Sequence, residues 1–335
     1  MYTQIDILEN KIIESYPTVL ETLLRDHTTQ KNIFWATENY KHLGKPYSFE
    51  SQILINLITG ENGNIIMPRV QKDIILQQSR SKDMAEVFTP SWICNAQNNL
   101  IDNTWFQKEN VFNKEIKNSD GSKGWNVNTN NISFPKNKTW KDYVNDKRLE
   151  IACGEAPYIT SRYDTTTGDF IPVENRIGIL DRKLRVINEN VNTSGEWLKA
   201  AQTAYKSTYA FEWQGDNLLL AREAMLYTFI ENYKYKFDKE PLLKSIKYIA
   251  YIISWNIWQM DGIKGVIPNT CKTVIETNVD LFGDEETKST ECVGCQKEDI
   301  KKHNGIYCLI KDWANNDKIT GKKGRRIRFI DLIKN

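Results

Sequence analysis

The segment Arg148-Leu149-Glu150-Ile151-Ala152-Cys153-Gly154-Glu155-Ala156-Pro157-Tyr158 constrains this chain more than any other. A short apolar run carrying an acid passes into a turn of small residues and then into a further structured segment. An open α/β sheet presents its backbone to a nucleotide-like ligand in this way. Ala152, Gly154 and Ala156 leave room for a ligand to approach the main chain. No Lys-Ser/Thr pair follows, so the turn does not grip phosphate as a P-loop does. A glycine-poor turn beside Glu150 suits an uncharged or cationic ligand end better than a pyrophosphate. An ordinary strand and turn could carry the same residues, so the surroundings decide.

The surroundings alternate. Residues 149–153, 176–181 and 209–216 read as strands. Helices are expected from 184, over 197–208, along the face of Leu218, Leu219, Met225, Leu226, Phe229, Ile230 and Tyr233, and over 246–260, ending at Asp261-Gly262. Strands alternating with helices predict a parallel sheet with crossover connections. Upstream, residues 1 to about 45 carry helical periodicity up to the break at Gly44-Lys45-Pro46. A turn is expected at 60–64. A helix should start with Thr89 as cap and Pro90 as its first residue. Residues 107–146, rich in Asn, Lys, Asp and Gly, read as a long loop. Residues 262–335 hold four of the six cysteines, an acidic patch (Asp284-Glu285-Glu286), a basic run (Lys322, Lys323, Arg325, Arg326, Arg328) and strands at 307–312 and 327–330. The expected division is a helical region over 1–85, a ligand-binding core over 86–262, and a Cys-containing segment with the final strands over 263–335.

Composition narrows the class. With 335 residues, 40% hydrophobic and 26% charged, the chain can bury a large core. A net charge of +2 gives no global basic field that would demand nucleic acid. No apolar run approaches the ~18 residues of a membrane span. The start Met1-Tyr2-Thr3-Gln4-Ile5-Asp6 has neither the basic region nor the apolar core of a signal peptide, so a cytoplasmic location is expected. Cysteines in such a chain are reduced thiols or metal ligands.

Three acids fall at matching places: Glu150 before the small-residue turn, Asp181 at the end of the second expected strand, and Asp216 at the end of the third. The carboxyl ends of adjacent strands in a doubly wound sheet form one crevice. An acid there can pair a cationic amine, accept from ribose hydroxyls, or accept from an adenine amino group. Together these suit an adenosine bearing an amino-acid tail, as in S-adenosylmethionine (SAM). Helix capping would also place Asp at strand ends.

With these residues the chain resembles the SAM-binding half of adenine-specific (N6) DNA methyltransferases of restriction-modification systems. The carriers are Glu86-Val87-Phe88-Thr89-Pro90, the 150–158 segment, Asp181 and Gly215-Asp216-Asn217-Leu218, in the family's order. More broadly, residues from about 28 onward resemble the amino-terminal part of larger methylases, through Ser79-Arg80-Ser81-Lys82-Asp83-Met84-Ala85 and Trp255-Asn256-Ile257-Trp258-Gln259-Met260-Asp261-Gly262. The resemblance implies a Rossmann-like methyltransferase sheet and a cofactor site of Phe88, Thr89, Pro90, Glu150, Ala152, Cys153, Gly154, Ala156, Asp181, Asp216 and Asn217. Phe88, Thr89 and Pro90 would pack over the methionine end of SAM. The substrate would be DNA.

Two departures matter. The second glycine of the family's turn is Ala156 here, whose methyl disfavours positive φ, so weaker SAM binding is expected. The sequence contains no two consecutive prolines, so the family's Asn/Asp-Pro-Pro-Tyr/Phe loop, which binds the extruded adenine, is absent. The catalytic residues are therefore unassigned, and a partner chain carrying that loop and the target-recognition region is implied. The alternatives are a SAM-binding subunit that does no chemistry alone and a scaffold with an empty pocket.

A second constellation is Cys292-Val293-Gly294-Cys295, His303 and Cys308. A two-residue gap lets both thiolates of one turn reach a zinc ion, and Gly294 eases the turn. Four protein ligands would make the site structural; Cys271 is an alternative to His303. Plain reduced thiols would read the same.

Overall fold

The computed structural model describes residues 5, 8–73, 77–78, 80–82, 89–279, 285–317, 319–321 and 323–333. The amino-terminal periodicity yields two short helices, α1 (Glu9–Ser15) and α2 (Val19–Leu24), and then irregular chain. Isolated bridges Arg25↔Asn32 and Phe34↔Gln52 replace the helix expected up to residue 45. Helix α3 (Ile55–Ile58) precedes the turn at Gly60. Helix α4 (Ser91–Phe106) begins one residue later than expected, with Pro90 at the cap and the Ser91 amide donating to Asp164.

Residues 107–146 are not a loop. They form an antiparallel hairpin, β1 (Asn113–Lys117) and β2 (Lys123–Val127), followed by helix α5 (Trp140–Asn145). Their polar side chains are used in pairing: Asn113 exchanges hydrogen bonds with Asn95 of α4, and Asn99 donates to Asn113 and Glu115.

The central sheet has three parallel strands in the order β3 (Arg148–Ile151), β4 (Thr208–Glu212) and β5 (Ile257–Gln259). Helices α6 (Ile179–Asn190) and α7 (Ser194–Lys206) connect the first two strands; α8 (Gly215–Phe237) and α9 (Leu243–Asn256) connect the last two. The two-residue period sorts the strands' side chains. Ala210 and Ile257 join the helices in the main core, whereas Phe211 and Trp258 enter a second, smaller core with Met260, Ile267, Cys308 and Ile310.

Two sequence expectations fail here. Residues 176–181 are not a strand. Gly178 caps α6, and a Cβ at Gly178 would lie 2.3 Å from the Ile159 carbonyl oxygen, so glycine permits the close approach. The apolar run 246–260 splits at Asn256 into α9 and β5. The Asn256 amide donates to the carbonyls of Tyr205 and Thr208 and ties the helix end to the start of β4.

The last quarter carries a ribbon of β6 (Val274–Val279) and β7 (Glu285–Thr290), a short helix α10 (Val293–Lys297), and a hairpin of β8 (Leu309–Asn316) and β9 (Lys323–Arg328). The hairpin covers the second face of the sheet through Ile310 and Ile327. The basic run is largely paired: Arg325 with Asp312, Arg326 with Asp317, Arg328 with Asp331. Among the described residues, no helix is long and apolar enough to cross a membrane.

Candidate ligand crevice and metal cluster

The turn after β3 is built from left-handed residues. Ala152, Gly154 and Ala156 have φ of 54°, 54° and 61°. An L-residue held there costs about 1–2 kcal/mol, so two alanines in this conformation store strain. Ala156 thus adopts the conformation that its methyl disfavours. A Cβ on Gly154 would meet nothing within 4 Å, so the space beside the turn is open. The Cys153 amide donates to Phe211 O and extends the β3–β4 ladder.

Two carboxyl groups face this turn. Glu212, the last residue of β4, accepts from the Gly154 amide at 2.8 Å and from the Gln214 amide at 3.1 Å. Burial pushes its carboxyl above the usual range despite those amides. Glu150, two positions back on the neighbouring strand, has an enclosed Oε2 with no hydrogen-bond partner among the described residues. Burial raises the Glu150 carboxyl well above the usual range; the Glu212 charge adds to this and the Tyr158 and Ile159 amides oppose it. Desolvated acids side by side repel an anion and favour a cation or a hydrogen-bond donor. Asp261 stands beyond the end of β5, where Met260 N donates to Glu212 O; its carboxylate accepts from the amides of Ile263 and Lys264.

The other sequence-predicted residues divide. The Thr89 carbonyl accepts from the Thr165 hydroxyl at 3.1 Å, so Thr89-Pro90 packs against the segment that follows the turn. Phe88, with Glu86 and Val87, lies outside the described residues. Cys153 is buried, and burial with the neighbouring Glu150 charge pushes its thiol well up. Asp181 is elsewhere: it is the third residue of α6 and accepts from the Ser161 amide and hydroxyl and the Gly178 amide. Asp216 lies in the first turn of α8. It is paired with Arg80 at 2.8 Å and Lys72 at 3.6 Å and accepts from Tyr40. Burial works against its charge, but Arg80 and Lys72 hold the carboxyl well below the usual range. Arg80 also donates to Asn217. Asp181 caps a helix and Asp216–Asn217 anchor a buried cation cluster.

The acids at the strand ends are instead Glu212 and Asp261. Both stand in segments the sequence marks. Glu212 lies inside the apolar run 209–216, and Asp261 follows the run 246–260. With 176–181 outside the sheet, Asp181 ends no strand, and Asp216 lies in the helix that follows β4 rather than at the strand's end.

The second constellation gathers differently from the spacing. The ligand atoms of Cys271, Cys292, Cys295 and His303 all lie within 4.8 Å of one another and could hold a metal ion. His303 Nδ1 is 3.6 Å from each of the three sulfurs. A Cβ on Gly294 would sit 2.5 Å from the His303 amide nitrogen, so glycine lets the histidine close over the Cys-x-x-Cys turn. Cys271, not Cys308, completes the cluster, and His303 is kept. Cys308 is buried in the second core with its thiol toward Gln259 O at 3.3 Å. The burial of Cys292 opposes its ionisation, but the Asn304 and Cys295 amides bring the thiol down to about 6. Burial and the neighbouring thiols push Cys271 up to about 12. No family model, curated protein or solved structure matches the chain.

Proposed function

We propose that the crevice binds SAM and that the chain is the methyl-donor part of an adenine-N6 DNA methyltransferase of the restriction-modification type. The observation that carries this reading is the enclosed carboxyl oxygen of Glu150, without a hydrogen-bond partner among the described residues, beside a left-handed turn with open space at Gly154. A ligand with a cationic amine satisfies that oxygen; a pyrophosphate offers it neither a positive charge nor a proton. Glu212, at the end of the second parallel strand, takes the ribose hydroxyls, and Asp261, beyond the third, faces the adenine edge. On this reading the three strands belong to a Rossmann-like methyltransferase sheet, whose ligands sit at the carboxyl ends.

SAM supplies an electrophilic methyl group; the chain's own residues bind and orient it and keep the amine end out of water. The acceptor side comes from a partner polypeptide. The edge of β3 has no strand partner among the described residues, and Leu149 and Ile151 are exposed there, so a further strand can add at that edge. The partner carries the Asn-Pro-Pro-Tyr loop and the target-recognition region. A second reading, a SAM-binding subunit with no chemistry of its own, is favoured for the isolated chain by the absence of consecutive prolines.

The ion in the Cys271–Cys292–Cys295–His303 cluster is zinc in a structural role. Zn–S and Zn–N bonds of about 2.3 and 2.05 Å at tetrahedral angles give S···N edges of about 3.5–3.6 Å. The three S···Nδ1 separations of 3.6 Å fit those edges. Four protein ligands leave no open position for water.

Labelled SAM and DNA, with and without a polypeptide bearing Asn-Pro-Pro-Tyr, test the functional reading. Little incorporation by the chain alone and incorporation on adding the partner are expected. DNA methylation by the chain alone, abolished by Glu212→Ala, would mean that it carries an acceptor loop of another sequence.

A further inference from the structure

The metal cluster joins two segments that are far apart in sequence. Cys292, Cys295 and His303 form a local knuckle around α10. Cys271 comes from the chain that leaves β5 at the carboxyl end of the parallel sheet. Between β5 and Cys271 the segment folds on itself: Asp261 N donates to Val266 O and Gly265 N to Asp261 O, both at 2.8 Å, the Asp261 carboxylate accepts from the Ile263 and Lys264 amides, and Thr270 donates to Ile267 O, while Ile267 packs in the second core. Its hydrogen bonds to distant parts of the chain run to residues directly after the knuckle. Ile267 N donates to Ile306 O, Cys308 N to Gly265 O, and Ile306 N to the Thr270 hydroxyl. Val266 bridges Tyr307. Asn304 spans the joint: it exchanges hydrogen bonds with the backbone of Lys272 at 3.0 and 2.7 Å, and its amide donates to the Cys292 sulfur at 3.2 Å. The Tyr307 hydroxyl accepts from His303 N and donates to Ile300 O.

The only side chain that segment 261–271 contributes to the cluster is the Cys271 thiol. We propose that the metal centre is a latch: by bonding Cys271 to the knuckle it fixes segment 261–271 against the carboxyl edge of the sheet, so that the crevice wall carrying Asp261 is complete only in the metal-loaded protein. The latch itself follows from the geometry of the cluster; its consequence for SAM rests on the reading above. Metal ligation of a site absent from the unlatched chain couples directly to local folding. The coupling is reciprocal, so SAM and zinc each raise the other's affinity by one common factor.

The test uses the full chain in three forms: loaded with zinc, stripped with a chelator, and Cys271→Ser loaded with zinc. Zinc content, amide hydrogen exchange and calorimetric SAM affinity are read on each. The loaded chain should hold about one zinc. Exchange over 261–271 should rise more than tenfold in both the stripped chain and Cys271→Ser, while α8 amides stay protected and report an intact core. SAM affinity should fall at least tenfold in parallel, and returning zinc should restore the stripped chain but not Cys271→Ser. Equal exchange over 261–271 in all three forms, or no zinc in the purified chain, overturns the latch. Metal-dependent exchange with no SAM binding in any form supports the latch and overturns the SAM reading.

Discussion

Glu150 and Glu212 set the character of the proposed SAM site, and their chemistry gives a sign that can be measured. Burial raises both carboxyls. A cationic amine favours the ionised form of Glu150, so binding lowers its pKa and expels a proton wherever the free site was protonated. SAM affinity should therefore rise with pH through the range in which Glu150 titrates. Calorimetry in two buffers of different ionisation enthalpy should register proton release, and Glu150→Gln should remove it. Release that persists in Glu150→Gln would assign the proton to another group. Asp216 has the opposite sign. Its carboxyl is held below the usual value by Arg80 and Lys72, so its contribution to stability is present above about pH 4 and is lost as pH falls toward the folded value. Asp216→Asn leaves two buried cations short of their counter-charge and should cost about 3–5 kcal/mol in urea unfolding at pH 7. A loss below about 1 kcal/mol would mean that the cluster relaxes without it.

At this scale the sequence was legible where chemistry is local. Glu150 stands in a strand, the small-residue turn follows it at Gly154, and the Cys-x-x-Cys turn gathers with His303, as their residue types imply, whereas the helix after Thr89-Pro90 starts one residue late. Asp181 and Asp216 do not stand at strand ends, because an Asp ahead of an apolar helix looks the same whether it follows a strand, caps an amide or pairs a buried arginine. Only partners far away in sequence, Ser161 for one and Arg80 for the other, separate these cases. Cys271 likewise reaches the cluster only through the fold.

At the scale of elements, most helices after residue 148 stand where their apolar periodicity put them, whereas strand identity was harder to read. The run 176–181 has the composition of a strand, yet Gly178 packs onto Ile159 O and starts a helix there. The run 246–260 reads as one buried helix, yet Asn256 ends it and a three-residue strand follows. Short apolar runs do not separate buried strand from buried helix by period alone. Gly178→Ala tests the first point. The added methyl has backbone, not a flexible side chain, 2.3 Å away, so overpacking should cost about 1–3 kcal/mol in thermal or urea unfolding. A neutral result would mean that α6 can shift away from the turn after β3.

For the whole molecule, a three-stranded parallel sheet carries helices on one face and the β8–β9 hairpin on the other. The expected α/β class is matched at that level, and Glu212 ends β4 while Asp261 stands just beyond β5. On the proposed reading SAM lies across the carboxyl ends of those strands against Glu212 rather than Asp181. Calorimetric titration of SAM into the zinc-loaded chain, Glu212→Ala and Asp181→Asn tests it most directly, because the asparagine keeps an acceptor for Ser161 and Gly178. The predicted result is one-to-one binding by the unmodified chain, a loss of about 1–3 kcal/mol, roughly 5- to 150-fold, for Glu212→Ala, and a change within about twofold for Asp181→Asn. No saturable binding by the zinc-loaded chain, or a Glu212→Ala variant that binds as tightly as the unmodified chain, would contradict it.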